Sequence, residues 1–520
     1  MSITSLESHI PDQRPHIAVI GTGIGGLAAA LRLVHAGARV TVLERHATPG
    51  GKMRTLPSVA GPVDAGPTVL TMKPVFDALF ADVGARLEDH VTLLREPMLA
   101  RHFWRDGTTL DLMANPEHSV SNVGNTFGKR AAQEFQNLST RATRLFDIFD
   151  APMMRSEAPS LASLTKTILT NPTIIPDMAP HQTLAQMLGH SFSEPKLAQL
   201  FARYATYVGG IPSECPAILS LIWDAERRGV WHVQGGMHRL AAAIEKLARQ
   251  KGVNFHYQAH VKRIETEGGR PCAVHTEKMR IPVDAVLYNG DPRALSQGML
   301  GESLAQAVRT SAVEPRSLSA QVQAFASTVQ HDFPLAAHNV FFADNPASEY
   351  APLAKGKLQT DPTLYICAQD RFGGAQPGGA ERFEIILNAP PITDDAIIPP
   401  QESDQCQTLI FSRLAAFGLH FDQQPSTSTL TGPQKFNALF PASNGSLYGR
   451  SPAGMMAAFA RPTARTKMAG LYLAGGGAHP GAGVPMATLS AAHAAAAIMT
   501  DLCLTSKSQK AVTHGGMSTA

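Results

Sequence analysis

Apolar and polar positions along the chain follow two rhythms. Ile17 to Ile20 is a short unbroken apolar, β-branched run, the pattern of a strand buried on both faces. Leu27, Leu31, Leu33 and Val34 follow at helical spacing and lead to Gly37, a helix stop. Arg39 to Leu43 then predicts a second strand, and Lys73 to Val83 a helix. His102 to Met113 alternates around Asp106-Gly107, a hairpin signal. Residues 117–228 are rich in Leu, Met and Ala and read as mostly helical. Gly236 to Gly252 predicts a helix with Leu240, Ile244 and Leu247 on one face, and strands follow through Val261 to about residue 291. Residues 317–390 hold short strand runs (NVFFA, TLYICA, RFEIILNA) that predict an antiparallel sheet roofing a pocket. Ser403 to Phe417 predicts a helix and Leu471 to Ala474 a strand.

The first two strands and the helix between them frame Gly21-x-Gly23-x-x-Gly26. Gly21 permits the tight turn, Gly23 lets the backbone approach a pyrophosphate, and Gly26 lets the helix pack on the strand. The helix aims its free N–H groups at the phosphates. Glu44 closes the second strand, roughly 20 positions on, where an acid suits a ribose diol. This order of strand, glycines, helix, strand and acid predicts dinucleotide binding. The next residues favour FAD over NAD. Gly50-Gly51-Lys52 is a second glycine turn with a cation, placed to reach the further phosphates and ribityl chain of the longer cofactor. Asp64-Ala65-Gly66-Pro67-Thr68 offers a loop for the flavin end. At the far end, GLYLAGGGAHPGAGVPMATLS repeats the logic of strand, glycine loop and helix N-terminus. Both chain ends are therefore expected to build one cofactor domain around an inserted middle.

These motifs carry a resemblance. GTGIGGLAAALRL, VLER, GGK, DAGPT and LYLAGGGAHPGAGVP resemble the FAD-dependent carotenoid desaturases, the phytoene desaturase family, over nearly the whole chain. GVWHVQGGMHRLAAAIEKLARQKGV and YNGD match that family's central return to the FAD domain. DAGPTVLTMKPVFDALFADVG and FPASNGSLYGRSPAGMMAAFARP are most similar to the branch of hydroxycarotenoid 3,4-desaturases, or methoxyneurosporene dehydrogenases. The family's C-terminal pattern more often reads GAGTHPGAGIPG; here Gly476-Gly477-Ala478 precedes His479, and Met486 follows Pro485.

The expected fold is α/β: a Rossmann-like FAD-binding domain, an inserted substrate domain with an antiparallel sheet, and a helical membrane-facing subdomain. FAD-binding segments are expected at 14–113, 229–295 and 431–505, the helical subdomain at 114–228 and the substrate domain at 296–430. Residues 506–520 read as a disordered tail. Cofactor-binding candidates are Gly21, Gly23, Gly25, Gly26, Glu44, Arg45, Gly50, Gly51, Lys52, Gly66, Pro67, Thr68, Val261, Gly475, Gly476, Pro485 and Met486. His479, the titratable residue inside the C-terminal loop, is the candidate proton acceptor, with a structural hydrogen bond as its plainer role. Arg155 is a weaker candidate for holding a substrate oxygen.

Composition narrows the remaining classes. The chain has 520 residues, 44% hydrophobic and 17% charged, with a formal net charge of +3, which fits a globular protein and gives no reason to expect nucleic acid. Its five cysteines are scattered without a CxxC pair, so neither a metal site nor a disulfide framework is expected, and a reducing compartment is. The N-terminus lacks a signal-peptide pattern, and no run reaches the ~18 apolar residues of a membrane span. Leu161 to Leu188 is apolar but broken by Pro172, Pro176 and Pro180; it reads either as core or as a surface dipping into a bilayer. A cytoplasmic, peripherally membrane-associated protein is the expectation.

Motifs of other chemistries, such as HExxH, a phosphate-loop lysine and GxSxG, are missing, so the hard step is assigned to the cofactor. The resemblance implies desaturation of an acyclic carotenoid, with the protein supplying orientation and exclusion of water. The expected partners are that lipophilic substrate, a membrane surface, and a diffusible electron acceptor, oxygen or a quinone. Four alternatives stay open: phytoene desaturation, amine or porphyrinogen oxidation on the same fold, a non-enzymatic prenyl-carrier escort, and redox-neutral carotenoid isomerisation.

Overall fold

The computed structural model describes residues 13–393 and 401–504. The expected tail at 506–520 lies outside the described residues.

The apolar runs at the two chain ends meet in one sheet. Five parallel strands stand in the spatial order Asn254–His256, Arg39–Leu43, His16–Ile20, Ala285–Tyr288 and Leu471–Leu473. Ile17 sits between Val40 and Ala285 in register, and all three are buried. Burial on both faces explains why these strands read as continuous apolar runs rather than alternating ones. Helices Ile24–His35, His238–Gln250 and Val484–Asp501 pack together over one face. Their small residues Ala28, Ala491, Ala494 and Ala495 are buried there and permit the close approach. The sequence reading carried the strand run on through Val261, but pairing stops at His256 and Val261 lies in a loop.

A second sheet of seven strands runs in the order Leu430–Thr431, Ser319–Ser327, Glu381–Ala389, Leu364–Ala368, His338–Phe341, Met98–Phe103 and Thr109–Met113. All neighbours are antiparallel except His338–Phe341 with Met98–Phe103. The hairpin expected around Asp106-Gly107 forms, with Gly107 at φ +84°. It was grouped with the first cofactor segment, ending at 113, but it hydrogen-bonds into this second sheet. The reason is the match between its alternating face and the stacked rings of Phe103 and Phe341, 4.7 Å apart.

Residues 116–227 are mainly helical, around a core of Phe135, Phe201 and Trp223. The stretch 161–188 divides in two. Helix Leu161–Thr170, capped by Ser160, has no buried residue, whereas Leu184, Met187 and Leu188 of helix Leu184–Ser191 are core. No helix among the described residues is long and apolar enough to cross a membrane.

Candidate active site

A cavity of about 950 Å³ runs between the two sheets and the helical region. Its two ends differ in what builds them.

One end is backbone. Gly21 stands at φ +100° and its counterpart Gly475 at φ +102°, a conformation open to glycine. Gly25 is held by contact rather than torsion. A Cβ there would lie 2.5 Å from Asn289 Oδ1 and 2.8 Å from the Gly475 backbone nitrogen. The Gly50 N–H donates to Thr22 O at 2.9 Å, docking the second glycine turn onto the first. Asn289 sits where the first turn and the C-terminal turn meet, and its Nδ2 donates to Gly21 O at 3.4 Å. Helices Ile24–His35 and Val484–Asp501 both start at this end with no side-chain cap and no acid in the first turn. Their free N–H groups favour an anion.

Glu44 is 5% exposed and firmly held at the end of its strand. Its Oε2 accepts from the Thr22 backbone N–H and hydroxyl, both at 2.7 Å, and its Oε1 from the His46 N–H at 2.8 Å. Lys52 donates to Leu447 O, and loss of hydration inside the cavity draws its pKa down to about 8. Arg461 donates to Gly476 O at 3.0 Å, tying the C-terminal glycine loop to Tyr448 and Arg450, whose carbonyls it also binds. Of the residues singled out in the sequence, Gly21, Gly23, Gly25, Glu44, Arg45, Gly50, Gly51, Lys52, Gly66, Pro67, Thr68, Val261, Gly475, Gly476, His479, Pro485 and Met486 all line this cavity. Gly26 does not. A Cβ there would fall 2.0 Å from Gly21 O, so its role is helix–strand packing.

His479 is nearly buried, and its Nε2 bonds Ser156 O at 2.8 Å. A carbonyl partner requires that nitrogen to carry the proton. Burial lowers the ring's pKa to about 4, so the imidazole is neutral and ties the glycine loop to the helical region. Arg155 points elsewhere. It pairs with Asp150 at 2.6 Å near the surface and does not line the cavity, so it does not hold a substrate oxygen there.

The other end is made of side chains. Apolar groups such as Leu99, Phe149, Met153, Ile218, Leu219 and Ile222 form its walls. Among them stand Arg203, Tyr207, Glu226, His338 and Tyr365. The Tyr204 hydroxyl donates to Glu226 Oε1 at 3.1 Å, and burial raises the Glu226 carboxyl to about 7. Burial lowers His338 to about 4; its Nδ1 bonds the Tyr365 hydroxyl at 2.8 Å. Tyr365 also bonds Thr68 Oγ1 at 3.2 Å, joining the two ends of the cavity. Sequence reasoning missed Asn289, Arg203, Glu226 and Tyr365. The available signals were slight: YNGD after a strand, and a lone arginine in the aromatic run FARYATY.

A glycine cradle with two uncapped helix N-termini, a fixed carboxylate at the second strand's end and a deep apolar cavity define a flavin oxidoreductase. The chain belongs to the flavin-containing amine oxidoreductase family, which matches residues 24–499. The cradle fits FAD as cofactor: backbone N–H groups for the phosphates, and Glu44 for the ribose. The chain is 51% identical to hydroxyneurosporene desaturase of Cereibacter sphaeroides over 95% of this chain and 99% of that protein. It is 30% identical to 1-hydroxycarotenoid 3,4-desaturase of a Flavobacterium species, over 91% and 96%. Among solved structures, an oxidoreductase from Methanosarcina mazei shares the fold, with TM-score 0.59 and 16% identity, covering 93% of this chain and all of that one.

Proposed function

We propose that the chain desaturates an acyclic carotenoid bearing an oxygen function near its end, at the 3,4 position, as a step of carotenoid biosynthesis. The observation that carries this reading is the cavity itself: apolar along its walls, joined to the flavin cradle, and polar at one spot near the Thr68 loop. Similarity to the two desaturases along almost their whole length supports it.

Bound FAD supplies the two-electron acceptor. The chain's own residues hold the cofactor through the glycine turns, Glu44 and Lys52. They clamp the polyene between apolar walls and keep water out. Loss of hydride beside a conjugated chain leaves a cation that the polyene itself spreads, and loss of a neighbouring proton then completes the new double bond, so orientation matters more than a strong acid or base. His479 fits this division of labour as a positioning residue.

The substrate is lipophilic, and a membrane surface is the proposed source. Leu161, Leu169 and Ile175 are 55%, 74% and 44% exposed on the helical region, and Met455 beside the cavity is 45% exposed. Charging Leu161 and Leu169 together should cut co-sedimentation with liposomes several-fold. The proposed electron acceptor is diffusible, oxygen or a quinone.

The test is anaerobic. The FAD-loaded protein is mixed with a 1-hydroxylated acyclic carotenoid in liposomes, and the flavin and polyene spectra are followed together. Flavin bleaching with a red-shifted polyene is expected, and phytoene run in parallel should react far more slowly. A bound but unbleached flavin with an unchanged polyene would remove the reading.

A further inference from the structure

Arg203 opens the 3-10 turn Arg203–Val208 that follows helix Pro195–Ala202. A guanidinium has five N–H donors and no acceptor. Here, among the described residues, its one hydrogen bond runs from Nη1 to the Tyr207 hydroxyl at a long 3.3 Å. No carboxylate stands within ion-pairing distance of it among them. Several other arginines of the interior are matched, although Arg141 Nε and Nη2 are also buried without a partner among the described residues. Arg371 makes a two-pronged pair with Glu381 at 2.6 and 2.7 Å, and Arg293 pairs with Glu314 at 2.7 Å. Arg461 spends its donors on three backbone carbonyls. Leaving a guanidinium's donors without partners inside an apolar cavity is costly unless a ligand supplies acceptors.

Its surroundings hold it ready. The guanidinium carbon lies 5.3 Å from the Tyr207 ring centre and 5.7 Å from that of Tyr365. Burial works against its charge, but the charged form is favoured by the acidic groups around it, and the guanidinium stays cationic. Glu226 lines the same part of the cavity, with Oε1 bonded to Tyr204 and no hydrogen bond to Oε2 among the described residues. The pair therefore offers donors on one side and an acceptor on the other.

We propose that Arg203, with Glu226, binds the oxygen function at the end of the carotenoid and so selects both the substrate and the bond that is desaturated. This rests on the reading of the chain as a desaturase of oxygenated acyclic carotenoids. Its geometry suits that chemistry. An oxygen on C1 is separated from C3 by only the O–C1, C1–C2 and C2–C3 bonds, so its anchor must stand close to the reacting carbons. Arg203 faces the ring of Tyr365, whose hydroxyl bonds Thr68 in the loop lining the cradle. Arg203 donates equally well to a hydroxyl or an ether oxygen. Glu226, when ionised, accepts from a hydroxyl and has nothing to donate to an ether oxygen, so that form favours the hydroxylated over the methoxylated end.

The experiment compares kcat/KM of the FAD-loaded protein for a 1-hydroxylated acyclic carotenoid and for its unsubstituted hydrocarbon, both in liposomes. Binding is followed separately by quenching of tryptophan fluorescence. The wild-type protein should prefer the hydroxylated substrate. In Arg203→Met the preference should shrink by roughly 100-fold, chiefly through KM and the binding signal, because a site built to bond an oxygen loses its donor. Arg203→Lys keeps the charge but not the fork and should lose about tenfold. Glu226→Gln should narrow the gap between hydroxylated and methoxylated substrates. A variant that retains its flavin but slows both substrates equally would overturn the proposal. Should Arg203→Met be colourless, Arg203→Lys decides, and an unchanged preference there overturns it. A wild-type protein that desaturates both substrates equally keeps the desaturase reading and removes this one. A wild-type protein that desaturates neither removes both.

Discussion

The two ends of the cavity solve binding by opposite means. The cradle end recognises mainly through the main chain, with glycine turns, helix N-termini and one carboxylate, Glu44, fixed by three hydrogen bonds. The far end recognises through side chains on distant elements, and two of its groups, Arg203 and Glu226, keep bonding capacity in reserve. Main-chain donors cannot be substituted away, and they suit phosphates, which every molecule of the cofactor presents alike. Side chains can be exchanged without touching the fold, and they suit the part of the ligand by which substrates differ. On the proposed reading, the family's common chemistry sits at one end and the choice of substrate at the other.

Gly25→Val should break the cradle most severely. Its Cβ would press against the Gly475 backbone at 2.8 Å, which no rotamer relieves. The purified protein should be colourless, with flavin affinity down by roughly 1,000-fold or more. Circular dichroism that matches the wild type would show that the fold survives. A yellow, fully loaded Gly25→Val protein would mean that the cofactor does not approach this turn.

A smaller loss should follow Glu44→Gln. The amide can accept but not with charge, and its NH2 group faces the Thr22 or His46 donors. Flavin affinity should fall about tenfold, measured by titration of the apoprotein, with the carotenoid preference unaltered. A change in that preference would blur the division between the two ends.

An effect on stability rather than on binding comes from beside the far end, where Glu349 bonds the cavity-lining Thr363. Glu349 is 1% exposed; burial raises its pKa from 4.5 to about 7, against the bond it accepts from Thr363. A raised carboxyl favours the folded state at low pH, and that advantage is lost as pH climbs through about 7. Between pH 5 and 8 the wild type should therefore lose up to about 3 kcal/mol relative to Glu349→Gln. Urea denaturation of both proteins across that range checks this. Parallel curves would mean that the carboxyl is ionised throughout.

Much of the cradle was legible in the sequence. Gly21, Gly23, Gly26, Glu44 and the Gly50-Gly51 turn stand at spacings set by local geometry, because a strand, a tight turn and a helix N-terminus are each built by neighbours in the chain. The inward positions of the second sheet were legible too, from the runs at 338–341, 364–368 and 381–389. The partners were not. Nothing local says that the hairpin of residues 98–113 pairs with the strand at 338–341, because strand pairing is decided by which faces find each other in three dimensions. Arg155 and Arg203 illustrate the same limit. Both are arginines of the helical region, but Arg155 finds Asp150 beside it and turns to the surface, while Arg203 is left facing the cavity by the packing around it.

By itself, then, the sequence determined the cofactor class, the two chain ends that hold it and the family, since these depend on backbone conformations that glycine and proline impose at short range. Only the tertiary structure decided that Asn289 stands where the first and last glycine turns meet, that His479 is committed to Ser156, and which charged groups face the cavity. Those outcomes depend on contacts between residues tens to hundreds of positions apart, and on burial, which no single stretch of chain controls.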